Sequence, residues 1–281
     1  MVRKKKDRLK HRSLFQLAFI IGLFCFLRSS DLLFSSPSII ERTPQRNENV
    51  FVPPVKGKYI DQRETTNKIR KLVGQWPNPL IVVGLPKAGT NSIAEYFRCG
   101  GIQNVAHNKC LNHDFCGSTI QQNILAGQNP LLNTGNADVY VQIDVELDVT
   151  KGLPCYFPQI EALDSIHRAH PNSTFLLNTR EVNGWIRSVR KWAQMDARLS
   201  RCNITGLPSG KGLKERELKR FFSNQQLRIK RFVDRHTSHR LVQVQIDSAN
   251  AGELMEEAFG IDKQCWGHHN KNHKLMPPVG N

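Results

Sequence analysis

Leu80-Ile-Val-Val-Gly-Leu-Pro-Lys-Ala-Gly-Thr-Asn-Ser92 decides the fold of this chain. Leu80 to Val83 form a short apolar run of the kind that a parallel sheet covers on both faces. Gly84, Pro86 and Gly89 then turn the chain. Thr90 to Cys99 reads as a helix that Gly100-Gly101 stops. The backbone N–H groups around Lys87 to Ser92 therefore emerge at a helix N-terminus. Their partial positive charge, added to the Lys87 ammonium, attracts phosphate or sulfate.

Residue order within the loop narrows the ligand. A nucleoside-triphosphatase loop carries its lysine directly after the second glycine, followed by a hydroxyl residue for magnesium. Gly84 and Gly89 have the right separation, but Thr90 stands where that lysine belongs and Lys87 lies inside the loop. A second strand, turn and helix follows in Pro171-Asn-Ser-Thr-Phe-Leu-Leu-Asn-Thr-Arg-Glu-Val-Asn-Gly-Trp-Ile-Arg-Ser188. Phe175 to Leu177 are its strand core and Arg180 sits just past the carboxyl end. Trp185, Ile186 and Val189 have helical spacing for burial.

Pro86, Lys87, Ala88, Gly89, Thr90, Asn91 and Ser92 resemble the 5′-phosphosulfate loop of sulfotransferases that use 3′-phosphoadenosine 5′-phosphosulfate (PAPS). The Arg180 to Ser188 spacing resembles their 3′-phosphate site, where the planar fork of an arginine and a serine on the next helix hold one phosphate. On these two loops, residues 78 to 275 resemble a divergent Golgi-type or algal member of the sulfotransferase superfamily. The resemblance implies a three-layer α/β fold of the P-loop type with a central parallel sheet. PAPS would lie across the carboxyl ends of the strands, where open α/β sheets bind ligands in any case. It also implies metal-free sulfuryl transfer to a hydroxyl or amine. An atypical P-loop nucleotide kinase, or a catalytically silent protein that binds anionic glycans, is the alternative.

Such chemistry needs a positive group for the departing phosphate and a base for the acceptor proton. Lys87 is the candidate for the first role. His107, at the end of an expected second strand, is one candidate base, because imidazole accepts a proton near neutral pH. Asp144 and Glu146 are the competing pair: they alternate with Val145 on an expected third strand, so they share a face and can raise one another's pKa. Toward the C-terminus, Trp266 is a candidate to stack on adenine and Lys271 to approach the 3′-phosphate.

The rest of the chain bears on compartment. Net charge is +16 in 281 residues, which suits an anionic ligand, an anionic polymer or a membrane surface. No zinc-finger spacing, recognition helix or aromatic-interleaved basic motif points to nucleic acid. Residues 1 to 12 carry seven Lys/Arg against Asp7, and the apolar run Leu14 to Leu27 follows. We read these as a cytoplasmic tail (1–12) and a type II signal anchor (13–28) in preference to a cleaved signal peptide, although the run is short against a span of about 20 residues. Residues 29–75, broken by Pro37, Pro44, Pro53 and Pro54, read as a stem. Residues 76–281 would form a lumenal domain in the Golgi, facing a glycan or secreted polypeptide acceptor. Asn172-Ser-Thr174 and Asn203-Ile-Thr205 are N-glycosylation sequons. Cys99, Cys110, Cys116, Cys155, Cys202 and Cys265 suit up to three disulfides in an oxidising compartment, with their pairing open. A metal at Cys265 and His268, His269 and His273 is not expected. Strands are expected at 80–83, 103–107, 139–145, 175–179 and 241–246, with an amphipathic helix over 213–235. Residues 108 to 136 carry no readable motif.

Overall fold

The computed structural model describes residues 76–110, 112–147 and 149–267. The expected tail, anchor and stem, together with His268, His269, Lys271 and His273, lie outside the described residues. Among the described residues no helix is long and apolar enough to cross a membrane.

At the centre is a five-stranded parallel sheet in the order β2-β3-β1-β6-β7. Its strands are β1 (Leu80–Val82), β2 (Val105–His107), β3 (Val139–Val141), β6 (Thr174–Thr179) and β7 (Arg240–Gln245). β1 occupies the middle position, with Ile81 facing Tyr140 of β3 on one side and Phe175 of β6 on the other. A strand hydrogen-bonded on both edges and covered on both faces has no polar face. That is why Leu80, Ile81, Val82 and Val83 are all apolar and all buried.

Alternation along the strands divides the core into two layers. Leu80, Val82, Val141 and Leu176 pack with α1 (Thr90–Cys99) and α8 (Ala251–Phe259) through Ile93, Phe97, Met255 and Phe259. Ile81, Val83, Tyr140 and Phe175 face the other way, toward Ile120 of α2 (Cys116–Leu125), Ile166 of α4 (Leu163–Ala169) and Phe232 of α7 (Glu215–Arg235). A third apolar cluster joins α3 (Pro158–Glu161), α5 (Val182–Lys191), α6 (Met195–Arg201) and the start of α7 to Leu85 and Ala88 of the loop after β1.

The expected third strand is corrected at its far end. β3 stops at Val141, because Gln142 takes a left-handed conformation (φ 51°) that breaks the pleat. Val145–Glu146 is instead β4, paired antiparallel with β5 (Cys155–Tyr156) in a separate hairpin. Asp144 therefore precedes a hairpin strand outside the main sheet. The other four strands and the helix over 213–235 fall within a few residues of expectation.

The six cysteines among the described residues are all paired: Cys99–Cys265, Cys110–Cys116 and Cys155–Cys202. The first ties the end of α1 to the turn after α8 across 166 residues, whereas the second closes only six. Restriction of the unfolded chain grows with loop length. Replacing Cys99 and Cys265 by Ala is therefore expected to cost about 4–5 kcal/mol in urea denaturation, against about 2 kcal/mol for the Cys110/Cys116 pair.

Candidate active site

β1 delivers the chain into a loop, 84–89, that makes two left-handed turns, at Lys87 (φ 67°) and Gly89 (φ 81°), before α1 begins. The second turn needs glycine, since a Cβ there would sit 2.7 Å from Ile246 Cδ1. Gly89 is the N-cap of α1. It has no side chain to satisfy the first N–H groups, and the first turn of the helix holds no acidic residue.

The loop is held from behind by one element pair, β6 and α5. The Asn178 side chain donates to the Ala88 carbonyl (2.7 Å) and accepts from the Gly84 N–H (3.0 Å), spanning the loop. The Trp185 indole N–H donates to the Pro86 carbonyl (2.9 Å), and Arg180 Nη1 donates to the Lys87 carbonyl (3.2 Å). Three consecutive carbonyls are thus fixed by β6, α5 and the turn that joins them. In trans peptides each following N–H points the opposite way, so those of Lys87 and Gly89 turn away from these partners.

In front of the loop lies a cleft of about 650 Å³ at the carboxyl edge of the sheet. Of the candidate residues, Pro86, Lys87, Gly89, Thr90, Asn91, Ser92, His107, Glu146, Arg180 and Ser188 all line it. Three of the described candidates do not. Ala88 is fully buried and takes part through its backbone, and Asp144 is fully buried too. Trp266 packs edge-on against Tyr96 (ring centroids 5.9 Å) beside Gly252, with the α1–α8 layer of the core, and does not line the cleft. Lys271 falls outside the described residues.

Several residues in or behind the wall were not singled out from the sequence. Trp192 places its ring 3.7 Å from Lys87 Nζ. Gln142 accepts from the Thr90 hydroxyl at 2.8 Å. Asp247 accepts from the Glu181 N–H at 2.9 Å and stands 3.9 Å from Arg180 Nε. Arg198 reaches the Glu146 carboxylate at 3.2 Å and its backbone carbonyl at 3.3 Å. Asn178 did carry a readable signal: it is a lone amide in an otherwise apolar strand core, and a buried amide needs dedicated partners.

Burial and neighbouring charge set the protonation states. Burial lowers the Lys87 pKa to about 8; Glu146 opposes the shift, while Arg180 and Arg198 add to it. Burial raises Glu146, against the pull of Arg198. Asp144 is pushed well above the carboxylate range by burial and then by Glu146, although the Gln159 amide donates to its Oδ1 at 3.0 Å. Asp144 Oδ2 is buried without a hydrogen-bond partner, so no donor there opposes the retention of its proton. His107 is lowered by burial and then by Arg98, and its Nε2 is a buried atom without a hydrogen-bond partner. Among the described residues no three His, Cys, Asp or Glu side chains converge as a metal-binding group.

A model of the sulfotransferase-domain family matches residues 79–241, more than half of the chain. The chain belongs to the sulfotransferase family. Comparison with curated proteins and with solved structures gave no match. The matched span starts just before β1 and ends within β7, so the sulfotransferase domain contains the Lys87 loop, His107, Glu146, Arg180 and Ser188. Sulfuryl transfer is the chemistry of the family, and the cleft built from β1, β6 and their following helices is where its charged residues converge.

Two outcomes follow for the sulfotransferase. Asn178→Ala removes both loop contacts and leaves two buried backbone groups unpaired, at an expected cost of about 2–4 kcal/mol in thermal or urea unfolding. Asp144 keeps its proton in the folded state above the pH at which the unfolded chain releases it. Its contribution to stability therefore falls as pH rises from about 4. Asp144→Asn is expected to flatten that decline in denaturation curves measured from pH 5 to 8.

Proposed function

We propose that this sulfotransferase takes its sulfuryl group from PAPS and passes it to a hydroxyl or amine of a glycan or secreted polypeptide. One observation supports the reading above the others. β6, α5 and the turn between them hold the carbonyls of Pro86, Lys87 and Ala88 from behind, while the same segment brings Arg180 and Ser188 to the cleft. Two anion-binding points thus sit side by side on adjacent strands, as a donor with two separate phosphate groups requires.

The residues divide the work accordingly. Loop amides and the hydroxyls of Thr90 and Ser92 hold the 5′-phosphosulfate end. Arg180 and Ser188 hold the 3′-phosphate, with Asp247 orienting the guanidinium. The acceptor oxygen or nitrogen attacks sulfur in line, the bond from sulfur to the bridging oxygen breaks, and its electron pair leaves with the phosphate. Lys87 neutralises the charge that develops there. Glu146 takes the acceptor proton: its carboxylate acts on Lys87 across the cleft, so an acceptor held at Lys87 falls beside it. Arg198 orients Glu146, and Asp144 stays protonated behind it. His107, kept neutral by burial, lines the acceptor side.

A lumenal Golgi location with a single type II anchor completes the proposal. Six cysteines paired as three disulfides suit an oxidising compartment. The side chains of Asn172 and Asn203 are both exposed, as glycan acceptors must be.

Calorimetric titration of the full-length protein with adenosine 3′,5′-bisphosphate tests the donor. Micromolar binding is expected, with Lys87→Ala and Arg180→Ala each weakening it at least about tenfold, or about 1.4 kcal/mol. Preference for magnesium-ATP would establish the kinase alternative instead. Glu146→Gln should retain bisphosphate binding and lose about 10²–10⁴-fold in transfer rate. Transfer should also fade as pH rises through about 8, where the Lys87 ammonium gives up its charge.

A further inference from the structure

Lys87 is held unusually for a residue meant to meet an anion. Its ammonium lies 3.7 Å from the Trp192 ring, and its carbonyl is fixed by Arg180. The backbone on either side is fixed too, by Trp185 at Pro86 and by Asn178 at Ala88, so only the side chain is free to swing. The ring it rests on is itself held by a costly turn. Trp192 ends α5, and the next two residues, Ala193 (φ 43°) and Gln194 (φ 52°), both adopt the left-handed conformation without being glycine. Arg198 maintains that turn by donating to the Ala193 carbonyl with the guanidinium that also holds Glu146. Two strained residues locked by the arginine that orients a candidate base, with an exposed tryptophan at their start, make an arrangement that a simple link between α5 and α6 does not need. Trp192 is 43% exposed and lines the cleft beside Lys87.

We propose that Trp192 is a positioning residue for sulfuryl transfer: its indole face parks the Lys87 ammonium in the ligand-free cleft, and the anionic donor draws the ammonium off the ring. The proposal rests on the donor reading given above. An aromatic face attracts a cation where water is scarce, but far less than a multiply charged phosphosulfate does. The contact therefore shelters Lys87 without competing with the donor. It also supplies part of the burial that lowers this lysine, in a cleft where Glu146 of β4 and Asp247 oppose Arg180, Arg198, Lys109 and the neutral His107. On donor arrival the ammonium moves toward the anion and places its charge at the bridging oxygen, where negative charge develops.

The test uses the full-length protein labelled at lysine Cε, with the Lys87 resonance assigned by its loss in Lys87→Arg. In the ligand-free protein the Lys87 Hε signal is expected upfield of every other lysine, from the indole ring current, and its midpoint should lie near pH 8. Trp192→Leu should abolish the upfield position and raise the midpoint by roughly one pH unit or more, while Trp192→Phe should keep an intermediate position. The basic limb of the transfer rate should move with the midpoint, which a merely structural tryptophan would not cause. A Lys87 signal at the ordinary lysine position, or a midpoint unmoved in folded Trp192→Leu, overturns the parking itself. Adding adenosine 3′,5′-bisphosphate should then return the signal downfield in the wild type. A signal that stays upfield in protein shown calorimetrically to bind the bisphosphate overturns the release step alone. Parking confirmed without any bisphosphate binding overturns the donor reading, and the proposed role in transfer with it.

Discussion

The Asn178 amide is the contact on which the remainder of the site depends. It joins two ends of one loop, Gly84 and Ala88, and it does so from a strand whose core, Phe175 to Leu177, is apolar. A primary amide buried there is tolerable only when its oxygen and its nitrogen are both bonded. The requirement runs in both directions. Gly84 has no room for a side chain, because a Cβ would fall 2.2 Å from both the backbone and the side-chain oxygen of Asn178. The close approach of the chain just past β1 to β6 thus fixes a glycine at the start of the loop, an amide on the strand, and the path of the loop itself. Once the path is fixed, the left-handed Lys87 and the carbonyl grip of Trp185 and Arg180 follow.

Behind the loop, a chain of buried amides carries the constraint into the helical layer. Gln225 of α7 donates to the carbonyls of Gln159 (2.7 Å) and Val83 (3.4 Å), and Gln159 donates to Asp144. A polar residue at 3% exposure on the core face of α7 interrupts an otherwise apolar stripe of Leu218, Phe221, Phe222, Ile229 and Phe232. Its position is accounted for by the end of β1, where the sheet stops pairing and the Val83 carbonyl needs a donor. The same chain ends at the protonated Asp144, so the helix that completes the core also supports the carboxyl behind Glu146.

How much of this was legible in the sequence depends on whether the signal was local. β1, its loop and α1 were readable because an apolar run, two glycines and a capped helix lie within twenty residues and each constrains the next. α7 was readable because its period holds over 21 residues. The stretch from Val139 to Val145 misled, since its alternation of apolar residues continues through Gln142, and a left-handed glutamine leaves no mark on hydrophobic pattern. Trp192 and Arg198 were unreadable for a different reason. Their meaning lies in what they touch, Lys87 and Glu146, and those partners lie 105 and 52 residues away. Trp266 shows the converse: an aromatic near the C-terminus suggested a ring platform, yet the Cys99–Cys265 disulfide and Tyr96 draw it into the core layer.

The pattern of charge in the cleft explains why so basic a wall needs acids at all. Lys87, Lys109 and Arg180 line it with only Glu146 and Asp247 as counter-charges, and each acid is paired with an arginine. Asp247 stands 3.9 Å from Arg180 while accepting the Glu181 N–H at 2.9 Å, so it directs the guanidinium while its tighter bond goes elsewhere. Glu146 is held by Arg198, which leaves Lys87 to interact with an aromatic ring in place of a carboxylate. Had Lys87 formed a direct ion pair, an incoming anion would have to break it, and the binding energy would be spent on that exchange. Arginines take the acids, and Lys87 is left with the weaker partner. The wall is oriented in advance without being neutralised, which is the condition under which fixed charges stabilise a developing one at least cost in reorganisation.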